Sequence, residues 1–449
     1  MKSFYNETYR YRNGISIDSS LLMFQWGLTV SFFPLGGLLG SLLVGPLADS
    51  CGRKGALLAN NVLAITSAIL MGSSTAMRSH EFIIFARLII GTCTGVAFSV
   101  VPMYVTELAP TNLRETLGMV AHLFILFGGL LAVLFSLPQI LGTPKGWPIL
   151  LSLVGLPALF QIIALPFCPE SPRYLLIQRK DEEKARQALK KLRGQDDVEE
   201  EMEELRQEDA TEKSEKDMDV FKFLQSEDQR WNLITAVVLM GGQQLSGINA
   251  AQHYMERIFT STRIGAAIVP YITMTIYILL LFTLVLALYV VESFGLKNLL
   301  LTGFGICSIT CILLTMSLEL QKTVLWLSYF SATFVSLFLI GQCIGPDSVA
   351  NVMISELFLQ SSRSSAFVVT GYVHWLCRFL IAVVYLHVET YLEPYSFLFF
   401  WPLCVASFIY LSKMIPDTRN KTFLETQRLV ALQTARRILI KELMVASDS

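Results

Sequence analysis

Charge is what this sequence has least of. Asp, Glu, Lys and Arg make up 16% of its 449 residues. A soluble domain carries about a quarter, so the shortfall points to lipid rather than water as the solvent. The formal net charge is −1, which implies no basic surface for nucleic acid. The eight cysteines (Cys51, Cys93, Cys168, Cys307, Cys311, Cys343, Cys377 and Cys404) include no CxxC pair. Most lie in apolar stretches and read as small buried residues rather than disulfides or zinc ligands. The five histidines are dispersed without metal spacing, and no phosphate-cradling loop with its lysine occurs. No enzyme, cofactor or metal site is therefore expected. Residues 1–20 are polar and lack the apolar core of a cleavable signal peptide.

What is abundant is long apolar segments, within a composition that is 53% hydrophobic. A bilayer core needs about 20 apolar residues per helix. Eleven segments qualify: 21–47, 56–76, 82–104, 117–139 and 147–167, then 232–252, 266–291, 298–318, 323–346, 365–388 and 395–414. The sequence predicts an all-α membrane protein with these domains: 1–20, a segment outside the cell; 21–167, five helices; 168–230, a helical cytoplasmic loop; 231–414, six helices; and 415–449, a cytoplasmic tail. The loop 168–230 holds thirteen Lys and Arg. Arg53, Lys54, Arg114, Lys297, Arg363 and the tail residues Arg428, Arg436, Arg437 and Lys441 fall on the same side, which marks it as cytoplasmic. Met1 is then extracellular, and Asn6-Glu-Thr8 is a candidate glycosylation sequon. Asn420-Lys-Thr422 is a second sequon on the cytoplasmic side, where it would be inert.

Three motif pairs recur at nearly one offset. Asp49-Ser-Cys-Gly-Arg-Lys54 matches Glu292-Ser-Phe-Gly-Leu-Lys297, 243 residues on. Glu107 to Arg114 matches Glu356 to Arg363 after 249 residues, and Pro169-Glu-Ser-Pro-Arg173 matches Pro416-Asp-Thr-Arg419 after 247. The repeat relates two halves in parallel. It also predicts that the first half is one helix short, because the counterpart of 232–252 would precede Met1.

Amides cluster in span 232–252: Gln243, Gln244 and Asn249, beside Gly241, Gly242 and Gly247. Such residues at bilayer depth need a wet cavity or polar partners. Inter-helix hydrogen bonding and a sugar site both supply these. Amides suit sugar hydroxyls because they donate and accept, and an aromatic covers a ring face.

The motifs Asp49…Gly52-Arg53-Lys54, Pro169-Glu-Ser-Pro-Arg173, Gly241-Gly-Gln-Gln-Leu-Ser-Gly-Ile-Asn249 and Pro416-Asp-Thr-Arg-Asn-Lys421 resemble the sugar-porter family. Lys2-Ser-Phe-Tyr-Asn-Glu-Thr8, Glu356 to Arg363 and His374-Trp375 resemble its facilitated glucose transporter branch that includes the fructose carriers. The resemblance implies a major-facilitator fold of two six-helix halves, here five plus six. It implies facilitated, monomeric, alternating-access transport of fructose or glucose across the plasma membrane, with a small sugar and the lipid bilayer as partners. It assigns sugar contact to Gln243, Gln244, Asn249, His122, Gln252, His253, Tyr254, Gln342, His374 and Trp375. It assigns a cytoplasmic ion-pair network to Asp49, Arg53, Glu107, Arg114, Glu170, Arg173, Glu292, Glu356 and Arg363.

The chain departs from the pattern at several places. Leu296 and Asn298 stand where arginines are usual, and Leu280 where a sugar-facing asparagine is. The prolines that usually follow Gly345-Pro346 are replaced across Asp347–Asn351. Arg378 replaces an asparagine at a cost of about 2.5–3.5 kcal/mol if unpaired, with Asp347 as candidate partner. A non-transporting relative with a regulatory role is the alternative expectation.

Overall fold

The structure is a computed structural model that describes residues 1–212, 220–226, 229–249, 251–252, 255, 268–392, 395–417, 421, 425–426, 428–433 and 435–436. Among these residues there are helices and turns and no strand. That follows from the solvent: in lipid a crossing segment must satisfy its own backbone amides, which a helix does. Nine helices among the described residues are long and apolar enough to cross a bilayer.

A short helix α1 (Lys2–Asn13) precedes α2 (Ser19–Ser73), which holds two of the expected spans. Its 55 residues are interrupted at Gly52, where φ is 81° and ψ 175°. Glycine adopts this left-handed φ without a Cβ clash. Both arms meet the same stretch of α3 (Glu81–Leu108), so the chain doubles back at Gly52. A Cβ on Gly36 or Gly40 of the first arm would lie 2.1 Å from the Leu88 carbonyl oxygen or 2.2 Å from that of Thr92. On the second arm Asn60 Nδ2 donates to the Cys93 carbonyl at 2.9 Å. Small residues let these backbones approach, as membrane helices commonly do.

Helix α4 (Arg114–Phe135) follows, then two shorter pieces, α5 (Trp147–Ser152) and α6 (Gly155–Ala164). The hydrophilic loop folds into α7 (Glu182–Arg193), α8 (Glu199–Glu212) and α9 (Val220–Gln225). Asp181 caps α7 by accepting the Lys184 N–H at 3.1 Å, and Gly194 ends it at φ 64°. Leu176, Ile177, Ala185, Leu189, Val198, Met202 and Leu205 give this loop a small core of its own. Arg193 Nη1 ties it to the end of α3 through the Leu108 carbonyl at 3.1 Å.

The second half opens with α10 (Arg230–Gln243), which passes into a π-helical turn at Gln244–Ile248 with Gly247 at φ 100°. Then come α11 (Val269–Phe294), α12 (Leu296–Leu320) and α13 (Ser328–Gln342). A second π-helical turn, Cys343–Asp347, leads into α14 (Ser348–Leu357). Pro346 lacks an N–H, and the wider turn absorbs the lost bond. Helices α15 (Gln360–Leu392) and α16 (Ser396–Met414) complete the bundle.

The parts before and after the loop meet along two seams. Along α2 and α15, Gly37 lies under Trp375 and Gly45 faces Val368. Along α4 and α11, Thr116 donates to Glu292 at 2.9 Å near one end and Gln139 to the Tyr271 hydroxyl at 3.0 Å near the other.

Candidate functional site

Two polar constellations lie along these seams. The first is on the face that carries the loop. Because α2 breaks at Gly52, its second arm starts with unsatisfied N–H groups. Glu170 takes up those of Arg53 and Lys54 at 3.1 and 3.2 Å, an anion on a helix N-terminus. A Cβ at position 52 would lie 2.4 Å from Glu170 Oε2. The fully buried Arg53 Nε binds Glu107 Oε2 at 3.1 Å, and its Nη1 donates to Gln178 at 2.9 Å. Glu107 also takes Arg363 Nη1 at 3.3 Å and the hydroxyl of Ser171. Arg363 begins α15, so Glu107 joins helices from opposite sides of the loop. Ser364 adds a second crossing, donating to Asp49 Oδ1 at 2.7 Å.

Arg173 pairs with Glu208 of α8 at 3.0 Å. Burial alone would push its guanidinium down, and the Glu208 carboxylate outweighs this and holds it above its ordinary value. Buried Arg114 lies within electrostatic reach of Arg173 and Glu356. Glu292 accepts a hydrogen bond from Thr116 of α4 at 2.9 Å. Ser171, Gln178, Glu208 and Ser364 were not anticipated. They are neutral or distant in sequence, and no charge pattern flags them.

The second constellation is central. Gln243 Nε2 donates to Asp347 Oδ1 at 2.9 Å, and Gln243 Oε1 lies 3.1 Å from His374 Nδ1. Gln244 Nε2 lies 3.3 Å from the same ring nitrogen, and Asn249 Nδ2 donates to Gln244 Oε1 at 3.0 Å. One nitrogen cannot donate to Gln243 and accept from Gln244 at once. With Nδ1–H donating to Gln243, the amide N–H groups of Gln244 are available to a ligand. Gln342 Nε2 donates to the Ser246 hydroxyl, while its Oε1 has no hydrogen-bond partner among the described residues. The two π-helical turns supply this cluster, and such turns recur at functional sites.

Aromatic rings border the amides. Phe98 lies 4.2 Å from the His374 ring and 6.0 Å from that of Trp375, centre to centre. Trp375 is buried, and its Nε1 has no hydrogen-bond partner among the described residues. The structure therefore brings together Gln243, Gln244, Asn249, Gln342, His374 and Trp375. His122 on α4 makes no hydrogen bond with this group, and its buried Nε2 has no partner among the described residues. Gln252 is exposed and forms no part of the cluster. His253 and Tyr254 lie outside the described residues, as does Asn420. Asp347 bonds Gln243 rather than Arg378, which rests over the Trp375 ring at 5.6 Å. Phe33 and Phe98 also went unanticipated, because an aromatic in an apolar span carries no signal of its facing direction.

Membrane-length helices on either side of a helical loop, closed on one another around a polar cluster, define a multi-pass α-helical membrane protein of the major-facilitator fold. The family model described as sugar (and other) transporter matches residues 1–430. The chain belongs to that family, which is one of transporters and not of enzymes. It is 47% identical over 431 residues to the facilitated glucose transporter member 5 of Rattus norvegicus, covering 96% of this chain and 86% of the relative. It is also 47% identical to member 7 of Homo sapiens, covering 96% and 84%. A proton:xylose symporter of the major facilitator superfamily, solved with 6-bromo-6-deoxy-D-glucose, superposes with a TM-score of 0.81 at 21% identity, over 95% of this chain and 94% of its own.

Proposed function

We propose that this chain is a facilitative hexose carrier working as a monomer by alternating access, with fructose or glucose as cargo. The observation that carries the reading is the hydrogen-bonded row Asp347–Gln243–His374, with the bonded pair Gln244–Asn249 and the indole of Trp375 beside it. It offers donors and acceptors to hydroxyls and an apolar surface to a ring. The relatives named as facilitated glucose transporters support the choice of cargo. In this reading Glu107, Arg53, Arg363 and their neighbours hold the loop face shut, and turnover requires them to part. Residues 21–167 and 231–414 then form two bundles that rock about the central cluster, and 168–230 links them.

The test is uptake of labelled fructose and glucose into proteoliposomes holding the purified chain. Uptake above empty vesicles supports the carrier; its absence with folded protein sinks it. A second reading, a bundle that does not transport, draws on α4 and α11, which are bonded near both ends of their seam.

For orientation, the reading places the loop in the cytoplasm and Met1 outside the plasma membrane. Asn6 then lies on the glycosylated side. Its Oδ1 accepts the Ile17 N–H at 3.1 Å and Thr8 is buried, so a glycan would be added before α1 docks. Glycosidase treatment that sharpens or shifts the band supports this placement, and a cytoplasmic tag at Met1 overturns it.

A further inference from the structure

Arg87 and Arg378 lie in membrane-length helices without a bonded counter-ion among the described residues. Arg87 is near the start of α3 and Arg378 is in the middle of α15. Among the described residues neither makes a hydrogen bond or an ion pair. Each rests instead on an aromatic face, Arg87 at 4.8 Å from the Phe33 ring centre and Arg378 at 5.6 Å from that of Trp375. Phe33 and Trp375 meet edge-on at 5.8 Å. The four side chains thus form a row of cation, ring, ring and cation across the seam between α2, α3 and α15. His374 borders this row, 5.2 Å from the Trp375 ring.

Arginine at membrane depth is costly and marks a functional place when nothing structural pairs with it. The charge count sharpens this. Arg87 and Arg378 are within electrostatic reach of each other. Asp347 is the carboxylate that faces Arg378, and it is bonded to Gln243. The phenols of Tyr277 and Tyr5, which face Arg378 and Arg87, are uncharged. Two guanidiniums against one carboxylate leave one positive charge over. Protonation of Asp347 would leave two. A neutral sugar leaves that surplus uncompensated in a poorly solvated interior, whereas a monoanion removes it.

We propose that the central cluster takes an acidic hexose, a hexuronate, with its carboxylate on Arg378, within electrostatic reach of Arg87, and its hydroxyls against Gln243, Gln244 and His374. The inference rests on the hexose-carrier reading and extends its cargo from neutral hexoses to an acidic one. The guanidinium fork matches a carboxylate bidentately, which the compact charge of a lysine would not. His374 and Arg378 are four residues apart on one helix, so they share a face with about one 5.4 Å turn between them. That separation is comparable to a pyranose ring with hydroxyls at one end and a carboxylate at the other. Asp347 faces the amides and excludes the reversed orientation by charge repulsion.

The experiment is competition against labelled fructose uptake in proteoliposomes of the full chain, with D-glucuronate, its methyl ester and D-glucose as competitors. Glucuronate is expected to compete at about tenfold lower concentration than glucose, the factor carried by one charge-assisted hydrogen bond. The uncharged methyl ester should behave as glucose does. Arg378→Asn should lower the ratio of glucuronate to glucose potency about tenfold, and Arg87→Gln should lower it in the same direction. If Arg378→Asn fails to fold, the unaltered chain's own ratio and its response to esterification still decide the matter. Robust fructose uptake with glucuronate no better than glucose overturns this inference and leaves the carrier reading standing. Absence of uptake of any of these sugars by folded protein overturns both.

Discussion

The indole of Trp375 lies directly on Gly37: a Cβ built there would sit 2.2 Å from Cδ2 of the ring. This contact joins α2 to α15 beside the central amides, and its fit depends on having no side chain at position 37. Gly37→Val is therefore expected to force the helices apart. Overpacking of this kind costs about 1–3 kcal/mol. A lower thermal-unfolding midpoint in detergent, together with loss of fructose uptake, is the expected outcome. An unchanged midpoint and unchanged uptake would show that α2 and α15 do not close over the site in the working protein.

Glu107 gathers Arg53, Arg363 and Ser171 around one buried carboxylate. Removing it leaves two buried guanidiniums short of their counter-charge. Breaking a buried pair in this way costs about 3–5 kcal/mol, so Glu107→Ala should be among the most destabilising single changes in the chain. The exposed cluster of Arg186 with Glu182 and Glu199 gives the contrast. Arg186→Ala should cost far less, because solvent screens such surface pairs. Thermal unfolding of both variants in the same detergent checks the ranking. Equal losses would mean that the Glu107 network is no tighter than a surface pair.

Hydropathy made the helices legible because a crossing segment must be apolar over its whole length. It could not show that 21–47 and 56–76 share one helical run broken at Gly52, since that break is a backbone angle and not a change in polarity. The charged motifs were legible through their repetition, and Arg53, Glu107 and Arg363 among them meet in the structure. Repetition led to Glu292 as well, whose carboxylate accepts from Thr116. It was silent on Glu208, which reaches Arg173 only because the loop folds back with its own core. In the central cluster three amides in one span announced themselves. Their link to Asp347 did not, because it depends on how two π-helical turns rotate their residues.

Gln244 is the amide whose N–H groups the His374 contact leaves available, and its Oε1 is held by Asn249 at 3.0 Å. Gln244→Ala should lower uptake by about tenfold or more, the loss expected when a hydrogen bond to substrate is removed from a desolvated site. The amount of protein reaching the membrane should change little. Surface biotinylation beside uptake separates the two. Parallel losses of expression and uptake would make Gln244 a packing residue.

His80 offers a test of acid stability outside the spanning helices. It is buried between α2 and α3, with the Tyr5 ring at 5.2 Å and Glu81 Oε2 at 3.6 Å from its Nδ1. Burial pushes the imidazole below its ordinary value, the Glu81 carboxylate pulls the other way, and Arg12 adds to the push. The unfolded chain therefore takes up a proton near the ordinary pKa of about 6.5, before the folded one does. The stabilising contribution is complete above that pH and is lost as pH falls toward the folded value. The unfolding midpoint should drop on going from about pH 7.5 to about pH 5. His80→Gln, which cannot gain the charge, should flatten that part of the curve. Superimposable pH profiles for the two proteins would assign the acid sensitivity to other groups.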